Sequence, residues 1–265
     1  GMHGVRARIV TTAVLCCLPL LSCSATPARD PAAGLKEVPV SQALARRFPE
    51  EILLVTFQKG NEPGITVIGN NHLPDATIAL KKGGAAHKVV SETGEFVLSF
   101  PGEDMETEVL NCLAHDGAMG EAFSNLGLTT APGTKVNAPL LQKCLANYEC
   151  RVTEAIDAGD STIFKVQIVA AHWAESRARR LYLAGYADGK PILKGFECAR
   201  ERPLPTWFEK YPEQIVMIAS CDLDGKPNVM TVGGSMRVSD DPPMLAIMIS
   251  KGSYTHGLIR ASKQF

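Results

Sequence analysis

The chain has 265 residues, of which 45% are hydrophobic and 21% are charged, and this is the composition of an ordinary globular protein. Its formal net charge of −1 and its 6% of aromatic residues provide neither a basic surface for nucleic acid nor a platform for stacked bases. Because of this charge and aromatic content, we expect no nucleic-acid partner. At roughly 100–200 residues per domain, the chain is long enough for one large domain or two modest ones.

The first 34 residues differ from the rest of the chain. Two arginines precede an apolar run over residues 9–21, which is too short to span a bilayer as a helix and is typical of a secretory signal. Residues 20–23 resemble the lipobox of bacterial lipoproteins, with Cys23 as the candidate lipid anchor, and residues 24–34 predict a tether. The sequence therefore predicts an exported protein, periplasmic or anchored to the membrane as a lipoprotein. The alternative is a cytoplasmic protein whose N-terminus is misassigned.

The hydrophobic pattern then predicts a series of short elements. In chain order these are a strand over residues 96–100, helices over 104–115 and 120–126, strands over 150–154, 163–171, 215–220, 229–233 and 244–249, and a helix over 254–263. His172 and Trp173 are expected to end a strand as a packed pair in the core. Arg177, Arg179 and Arg180 are expected on a solvated helix face. Many strands with few helices favour a mainly β fold, a barrel with helical inserts, over a doubly wound sheet.

An internal repeat organises this series. Residues 48–56 match residues 211–219, and residues 82–87 match residues 251–256. The chain therefore contains a degenerate first half, one second half over about residues 97–200, and then a better-formed first half. We call the degenerate first half the first copy and the better-formed one the second copy.

The repeat sets the predicted domain boundaries. Residues 1–34 are the signal and tether, residues 35–200 form a domain with the degenerate first half, and residues 201–265 form the first half of a second repeat. Two arrangements stay open at this point. The second copy pairs with residues 97–200 as a permuted complex, or it belongs to a second domain.

The segment from Ser250 to Thr255 has the composition of an anion site. A strand ends there, a loop containing glycine follows, and a helix begins, so that free N–H groups and the positive end of the helix dipole favour an anion. Lys251 adds a cation, and the hydroxyls of Ser250, Ser253 and Thr255 add donors. A phosphate monoester would suit this site. The alternative is that the hydroxyl residues only cap the helix and that Lys251 is solvated.

A second candidate segment lies just before it, around Arg237. The glycines at 233 and 234 allow a flat ring to approach the backbone closely, and Met236 and Val238 could pack on such a ring. The alternative is a simple β-bulge, which paired glycines in a strand often mark.

Together these segments resemble the flavin reductase and flavoredoxin family. The resemblance rests on residues 225–233, 238–244 and 253–256 of the second copy, and in the middle of the chain on residues 93–98, 132–136, 138–140, 144–147 and 149–152. That family folds as a split β-barrel, usually dimeric, with FMN near the subunit interface. The resemblance thus implies an FMN-binding split β-barrel, as a homodimer or as a pseudo-dimer within one chain.

The resemblance also implies a cofactor site. FMN would be the cofactor and NAD(P)H the electron donor, and the family's chemistry needs no separate catalytic side chain. The residues implied to flank the ring and ribityl chain or to hold the phosphate are Thr231, Ser235, Met236, Arg237, Val238, Ser250, Lys251, Tyr254 and Thr255. The loop from His115 to Gly117 can border the flavin in this family, or it is a solvated helix end.

Departures from the family's pattern keep three functions open. Gly234 replaces an aromatic residue of many relatives, and Ser161 replaces a His that many reductases carry on the nicotinamide side. In the first copy, Ala85 and Ala86 replace the Tyr-Thr pair, so this copy is expected to be structural only. The leading hypothesis is an FMN-dependent NAD(P)H oxidoreductase. The alternatives are a non-catalytic flavoredoxin-type carrier for a redox partner, and a split barrel that has lost flavin and serves as an interaction module.

Overall fold

The structure is a computed structural model that describes residues 13–19, 38–39, 48–69, 71–72, 77–117, 119–120, 122–175, 178–196 and 214–265. Cys23 and the tether lie outside these residues, so the predicted export and lipid anchor stay predictions. Within the described ranges, no helix is both long enough and apolar enough to cross a membrane.

One antiparallel sheet of seven strands forms the main barrel. Numbered in chain order and given in spatial order, its strands are β4 (Glu62–Ile68), β3 (Leu53–Lys59), β7 (Glu95–Phe100), β10 (Ala146–Ala158), β11 (Ser161–Trp173), β6 (Thr77–Lys81) and β5 (Asn71–His72). Strands of the first copy therefore lie on both sides of the second-half strands β7, β10 and β11. The mainly β fold with helical inserts is confirmed.

Smaller sheets and helices surround this barrel. The sheets are β12 (Arg180–Ala187) between β13 (Lys190–Phe196) and β2 (Glu50–Glu51), β8 (Thr130–Ala131) with β9 (Leu140–Leu141), β14 (Val216–Cys221) with β15 (Pro227–Val232), and β17 (Pro243–Ser250) between β16 (Ser235–Asp240) and β1 (Ala13–Pro19). The helices of the described residues are α1 (Ala85–Thr93), a 3₁₀ turn (Glu103–Met105), α2 (Glu106–Ala114), α3 (Ala122–Asn125) and α4 (Tyr254–Ser262).

The strand β3 stabilises two separate apolar cores. Because successive side chains of a strand point to opposite faces, Leu53, Val55 and Phe57 pack inside the barrel against α1, whereas Leu54 packs with neighbouring Ile52 beneath α2. All five side chains are buried. Both faces of this strand are therefore covered by the rest of the chain.

One arginine of the basic cluster is buried in a strand. Arg180 was expected on a solvated helix face, but it begins the strand β12 and is buried. Its guanidinium carbon lies 4.7 Å from the centre of the Phe100 ring and 5.2 Å from that of Tyr182, and Nη1 lies 3.5 Å from the Glu51 carboxylate. The two rings and the carboxylate offset part of the cost of burying the charge.

A buried carboxylate on β10 fastens the loop at residues 132–139. The Glu149 carboxylate accepts hydrogen bonds from the backbone N–H groups of Thr134, Lys135 and Val136 at 2.6–3.0 Å, and from the Thr134 hydroxyl at 2.7 Å. The His172 Nε2 atom lies 2.6 Å from the same carboxylate. Burial raises the pKa of Glu149, but the hydrogen bonds outweigh burial and hold the pKa at about 2.

His172 and Trp173 end the strand β11 as predicted, but they do not form a packed pair. His172 is engaged by Glu149, whereas Trp173 is exposed. The apolar character of Trp173 suggested burial. However, β6 pairs only with residues 161–165 of β11, so among the described strands this end of β11 pairs with β10 alone, and the Trp173 ring is left in solvent.

We expect Glu149→Gln to lower the free energy of unfolding by about 2 kcal/mol near neutral pH, because the backbone donors lose an ionised acceptor. The depressed pKa of Glu149 makes its contribution complete above the ordinary pKa of 4.5, and the contribution is lost as the pH falls towards 2. The difference between wild type and variant should therefore shrink from pH 6 to pH 3 in urea unfolding. Glu92→Gln, which removes an exposed ion pair with Lys59, should change stability by less than about 1 kcal/mol. An equal effect of the two substitutions would contradict the role given to Glu149.

Candidate functional site at the junction of the two copies

The two copies meet along an apolar junction. Met236 and Val238 on β16 pack against Ala79, Ala158 and Ile163 of the barrel. Both second-copy side chains are buried there. The face on which these two side chains were expected to flank a flavin ring is therefore occupied by the first copy and the second half.

The polar part of the junction lies at the turn between β10 and β11. The Asp160 N–H group donates to Ser239 Oγ at 3.3 Å, and the Asp240 N–H group donates to the Asp160 carboxylate at 3.4 Å. Gly159 has a φ of 66°, and a Cβ atom there would stand 2.4 Å from Ser239 Oγ. Both the backbone conformation and the close approach therefore require glycine at this position.

A cavity of about 300 Å³ lies beside the junction, within the first copy. Its apolar wall includes Ile52, Val67, Leu80 and Leu183, from the chain before β3, from β4, from β6 and from β12. Ligand pockets in proteins occupy roughly 300–1,000 Å³ and combine an apolar lining with a few polar groups. The cavity is at the lower end of that range.

Cationic and donor groups line part of this cavity. Lys81 ends β6, and α1 begins after Gly84, which supplies no capping side chain to the N–H groups of the first turn. Arg237 reaches the cavity from the second copy. Its Nη1 donates to the Asp240 carboxylate, whereas its Nε is buried and has no hydrogen-bond partner among the residues that the structure describes. An acceptor inside the cavity would satisfy this atom.

The loop after α2 contributes a carboxylate to the cavity. Asp116 and Gly117 line it, and the Thr66 hydroxyl donates to Asp116. His115 is exposed, and its Nδ1 lies 2.9 Å from the carbonyl oxygen of Asn111 on the same helix. Two residues of the loop that the sequence singled out thus border the cavity.

His87 lies in the first turn of α1 and also lines the cavity. Its Nε2 atom is 2.9 Å from Thr162 Oγ1, and the neighbouring Lys82 ammonium donates to the Asp157 carboxylate and the Gly159 carbonyl oxygen at 2.5 and 2.6 Å. Burial, and then the positive charge of Lys82, lower the pKa of His87. We therefore expect His87 to be neutral at pH 7.

The residues predicted to hold a phosphate lie together in the second copy. They lie at the end of β17, in the turn after it and at the start of α4, and they are Ser250, Lys251, Tyr254 and Thr255. Ser253 caps the helix by accepting from the His256 N–H group at 3.2 Å, and Thr255 Oγ1 accepts from the Asn228 side chain at 2.9 Å. Asn228 was not predicted as a site residue, although it lies in the matched segment 225–233.

The remaining predicted residues lie elsewhere. Thr231 is exposed on the outer face of β15, opposite Met217, and Ser235 begins β16 opposite Ile247. Met236 and Val238 form the junction. Of the predicted set, Arg237 lines the cavity of the first copy. The predicted ring residues thus do not share one surface: Thr231 is exposed, Met236 and Val238 are buried in the junction, and Arg237 lines the cavity.

The flavin reductase like domain matches residues 45–190 and 208–265, which is well over half of the chain. The chain belongs to the flavin reductase like domain family. Both copies of the repeat lie within the matched residues of this flavin reductase-like protein.

Curated relatives of this flavin reductase-like chain extend over different shares of it. An uncharacterized protein of Pyrococcus abyssi is 30% identical over 154 residues, which cover 56% of this chain and 83% of that protein. An uncharacterized protein of Archaeoglobus fulgidus is 30% identical over 107 residues, and the chain spans only 55% of its length. The NADH-dependent flavin reductase StyB of Pseudomonas fluorescens is 24% identical over 148 residues, which cover 53% of this chain and 82% of that enzyme.

Solved structures agree with the fold. The NADH:FAD oxidoreductase SgcE6 of Streptomyces globisporus matches with a TM-score of 0.50 at 21% identity, covering 63% of this chain and all of that one. A homologue of nitrilotriacetate monooxygenase component B from Mycobacterium thermoresistibile has the same TM-score at 16% identity, with 63% and 92% covered. At these identities the likeness establishes the fold alone.

We expect Gly159→Ala to destabilise the protein by about 1–3 kcal/mol, because alanine is strained at this φ and its Cβ would collide with Ser239 Oγ. The loss of the junction should appear as faster hydrogen exchange at the Asp160 and Asp240 amides. The matched control is Gly189→Ala, since Gly189 has a φ of 73° in a hairpin where a Cβ would meet no atom within 4 Å. Unchanged exchange at Asp240 in the Gly159 variant would contradict the junction.

Proposed function

We propose that this flavin reductase-like protein binds FMN and passes electrons between NAD(P)H and the flavin, with the two copies paired as a pseudo-dimer. The observation that carries the proposal is the cavity beside the junction, which combines apolar strands, the uncapped start of α1 and a cation from the other copy. Family membership and the names of two relatives support it, namely an NADH-dependent flavin reductase and an NADH:FAD oxidoreductase. The latter protein has also been solved with NAD and FAD fragments.

The groups that line the cavity fit a flavin nucleotide. Lys81, Arg237 and the N–H groups at the start of α1 suit an anion, and the partnerless Nε of Arg237 suits an acceptor atom. Val67 and Leu80 provide apolar surface for a flat ring. A bound flavin would supply the hydride and electron chemistry itself.

The protein's own residues would orient the flavin and set its electrostatic surroundings. Arg237 and Lys81 would hold negative charge, while the neutral His87 would add none. Asp116, held by the Thr66 hydroxyl, would disfavour an anionic group at its end of the cavity. Two further carboxylates, those of Glu50 and Glu51, also line the cavity. The negative end of the nucleotide would therefore have to lie at Arg237, Lys81 and the start of α1.

The predicted phosphate residues of the second copy offer a competing position for the same cofactor. Lys251 and the hydroxyls of Ser250 and Ser253 lie at the start of α4. The junction occupies the ring face beside them, because Met236 and Val238 are buried against the barrel. We therefore place the flavin in the cavity of the first copy, and the two positions are separable by substitution.

The test is an FMN titration followed by absorption, with the wild type, Arg237→Gln and Lys251→Ala. Loss of a charged hydrogen-bond donor should weaken FMN binding by about tenfold or more in Arg237→Gln. Lys251→Ala should change the affinity by less than about twofold, within the range of an exposed charge. The opposite ranking would move the flavin to the second copy. A wild-type protein that retains no FMN would overturn the oxidoreductase proposal and favour an interaction module.

A flavoredoxin-type electron carrier is the second candidate, and Ser161 favours it. Ser161 is buried and its hydroxyl donates to the Asp160 carboxylate at 2.9 Å. The second copy covers the same turn through Ser239 and Asp240. The position that carries a His on the nicotinamide side in many reductases is therefore filled by a small residue and closed by the junction.

The two candidates differ in their response to NAD(P)H. For a reductase, NADH or NADPH oxidation by the FMN-loaded protein with free flavin as acceptor should proceed with turnover. For a carrier, this oxidation should be absent, whereas the chemically reduced protein should still reduce a protein acceptor such as a cytochrome. Turnover with either nicotinamide would rule out the carrier function as the sole activity.

A further inference from the structure

The hairpin of β14 and β15 in the second copy has one buried face and one solvent-exposed face. Val216, Ile218, Met230 and Val232 pack against β17 and α4. On the opposite face, Ile215, Met217 and Val229 are 74%, 76% and 61% exposed. Within the described residues, this face combines large apolar side chains with a strand edge that pairs with no other strand.

The first copy shows what covers this face in the same fold. By the sequence repeat and the strand register, Ile215, Met217 and Val229 correspond to Ile52, Leu54 and Ile65. These counterparts are 2%, 0% and 1% exposed. The same three positions are therefore completely buried in one copy and mostly exposed in the other.

The cover of the first copy is a strand followed by a helix. The strand β7 pairs antiparallel with β3, with Leu54 opposite Ser99 and Thr56 opposite Val97. Met105, Val109 and Cys112, from the 3₁₀ turn and α2, then pack over Leu54 and its neighbours. Residues 95–114 thus supply both the missing edge partner and the missing apolar cover.

The sequence of the hairpin gives this edge no protection of its own. Exposed strand edges are commonly guarded by lysine, other charges or bulges, but β14 and β15 contain no charged residue and pair without a bulge. Exposed apolar surface of this kind marks an interaction site.

We propose that the outer face of the hairpin and the free edge of β14 dock a polypeptide segment, other than one from a second copy of this chain, that contributes a β-strand followed by an amphipathic helix of the kind formed by residues 95–114. The strand would add to β14 by backbone hydrogen bonds, as β7 adds to β3. The helix would cover Ile215, Met217 and Val229. This docking does not depend on flavin binding.

The test uses the full chain and a fluorescent peptide with the sequence of residues 95–114, followed by anisotropy. We expect saturable binding that falls by at least about tenfold in Met217→Lys, which places a charge in the apolar face. Leu223→Lys is the matched control, because Leu223 is equally exposed but lies in the turn of the same hairpin, and it should bind the peptide like the wild type. On the peptide side, Val109→Asp should abolish binding.

Three outcomes would overturn the proposal. The peptide shows no saturable binding to the wild type, or it binds Met217→Lys as tightly as the wild type. In the third, the wild-type chain self-associates in sedimentation and Met217→Lys is monomeric, which would identify the occupant as a second copy of this chain. Circular dichroism checks that both variants of the full chain are folded, which we expect because Met217 and Leu223 are exposed.

Discussion

A strand has two edges, and in this protein both edges of β7 are taken, one by β3 and the other by β10. The strand β11 is likewise paired on both sides, with β10 and with β6. One second half can therefore bind one first half through backbone hydrogen bonds. No strand of the second copy pairs with a described strand of this sheet, and the second copy attaches through side chains instead, with β16 packed face to face on the barrel.

This mode of attachment has consequences at both ends of the second copy. At the junction, the side chains predicted to flank the flavin ring are used for packing, and Arg237 reaches the cavity of the first copy. At the far end, the hairpin of β14 and β15 keeps the apolar face that its counterpart in the first copy buries.

The sequence predicted the elements better than it predicted the contacts between them. Strand β14, strand β17 and helix α4 were placed to within about two residues, because their apolar periods are local signals. Burial of Arg180 could not be predicted, since its compensation comes from Phe100 and Glu51, which are remote in sequence. The hydrogen bonds that join Glu149 to the loop at residues 132–139 could not be predicted either. Their donors are mostly backbone N–H groups, which any residue provides and which therefore leave no signal in the sequence.

In this protein, the better-matching sequence motif and the open cavity lie in different copies. The first copy lost its hydroxyl residues at the start of the helix, Ala85 and Ala86 standing in their place, yet the backbone N–H groups of that turn do not depend on side chains. The second copy has the hydroxyl residues, but the junction covers the neighbouring face that carries Met236 and Val238. Residue identity records which side chains a site once needed, whereas the cavity depends on which faces remain uncovered after the copies pack. In this protein, the uncovered cavity rather than the hydroxyl residues is the basis on which we place the flavin.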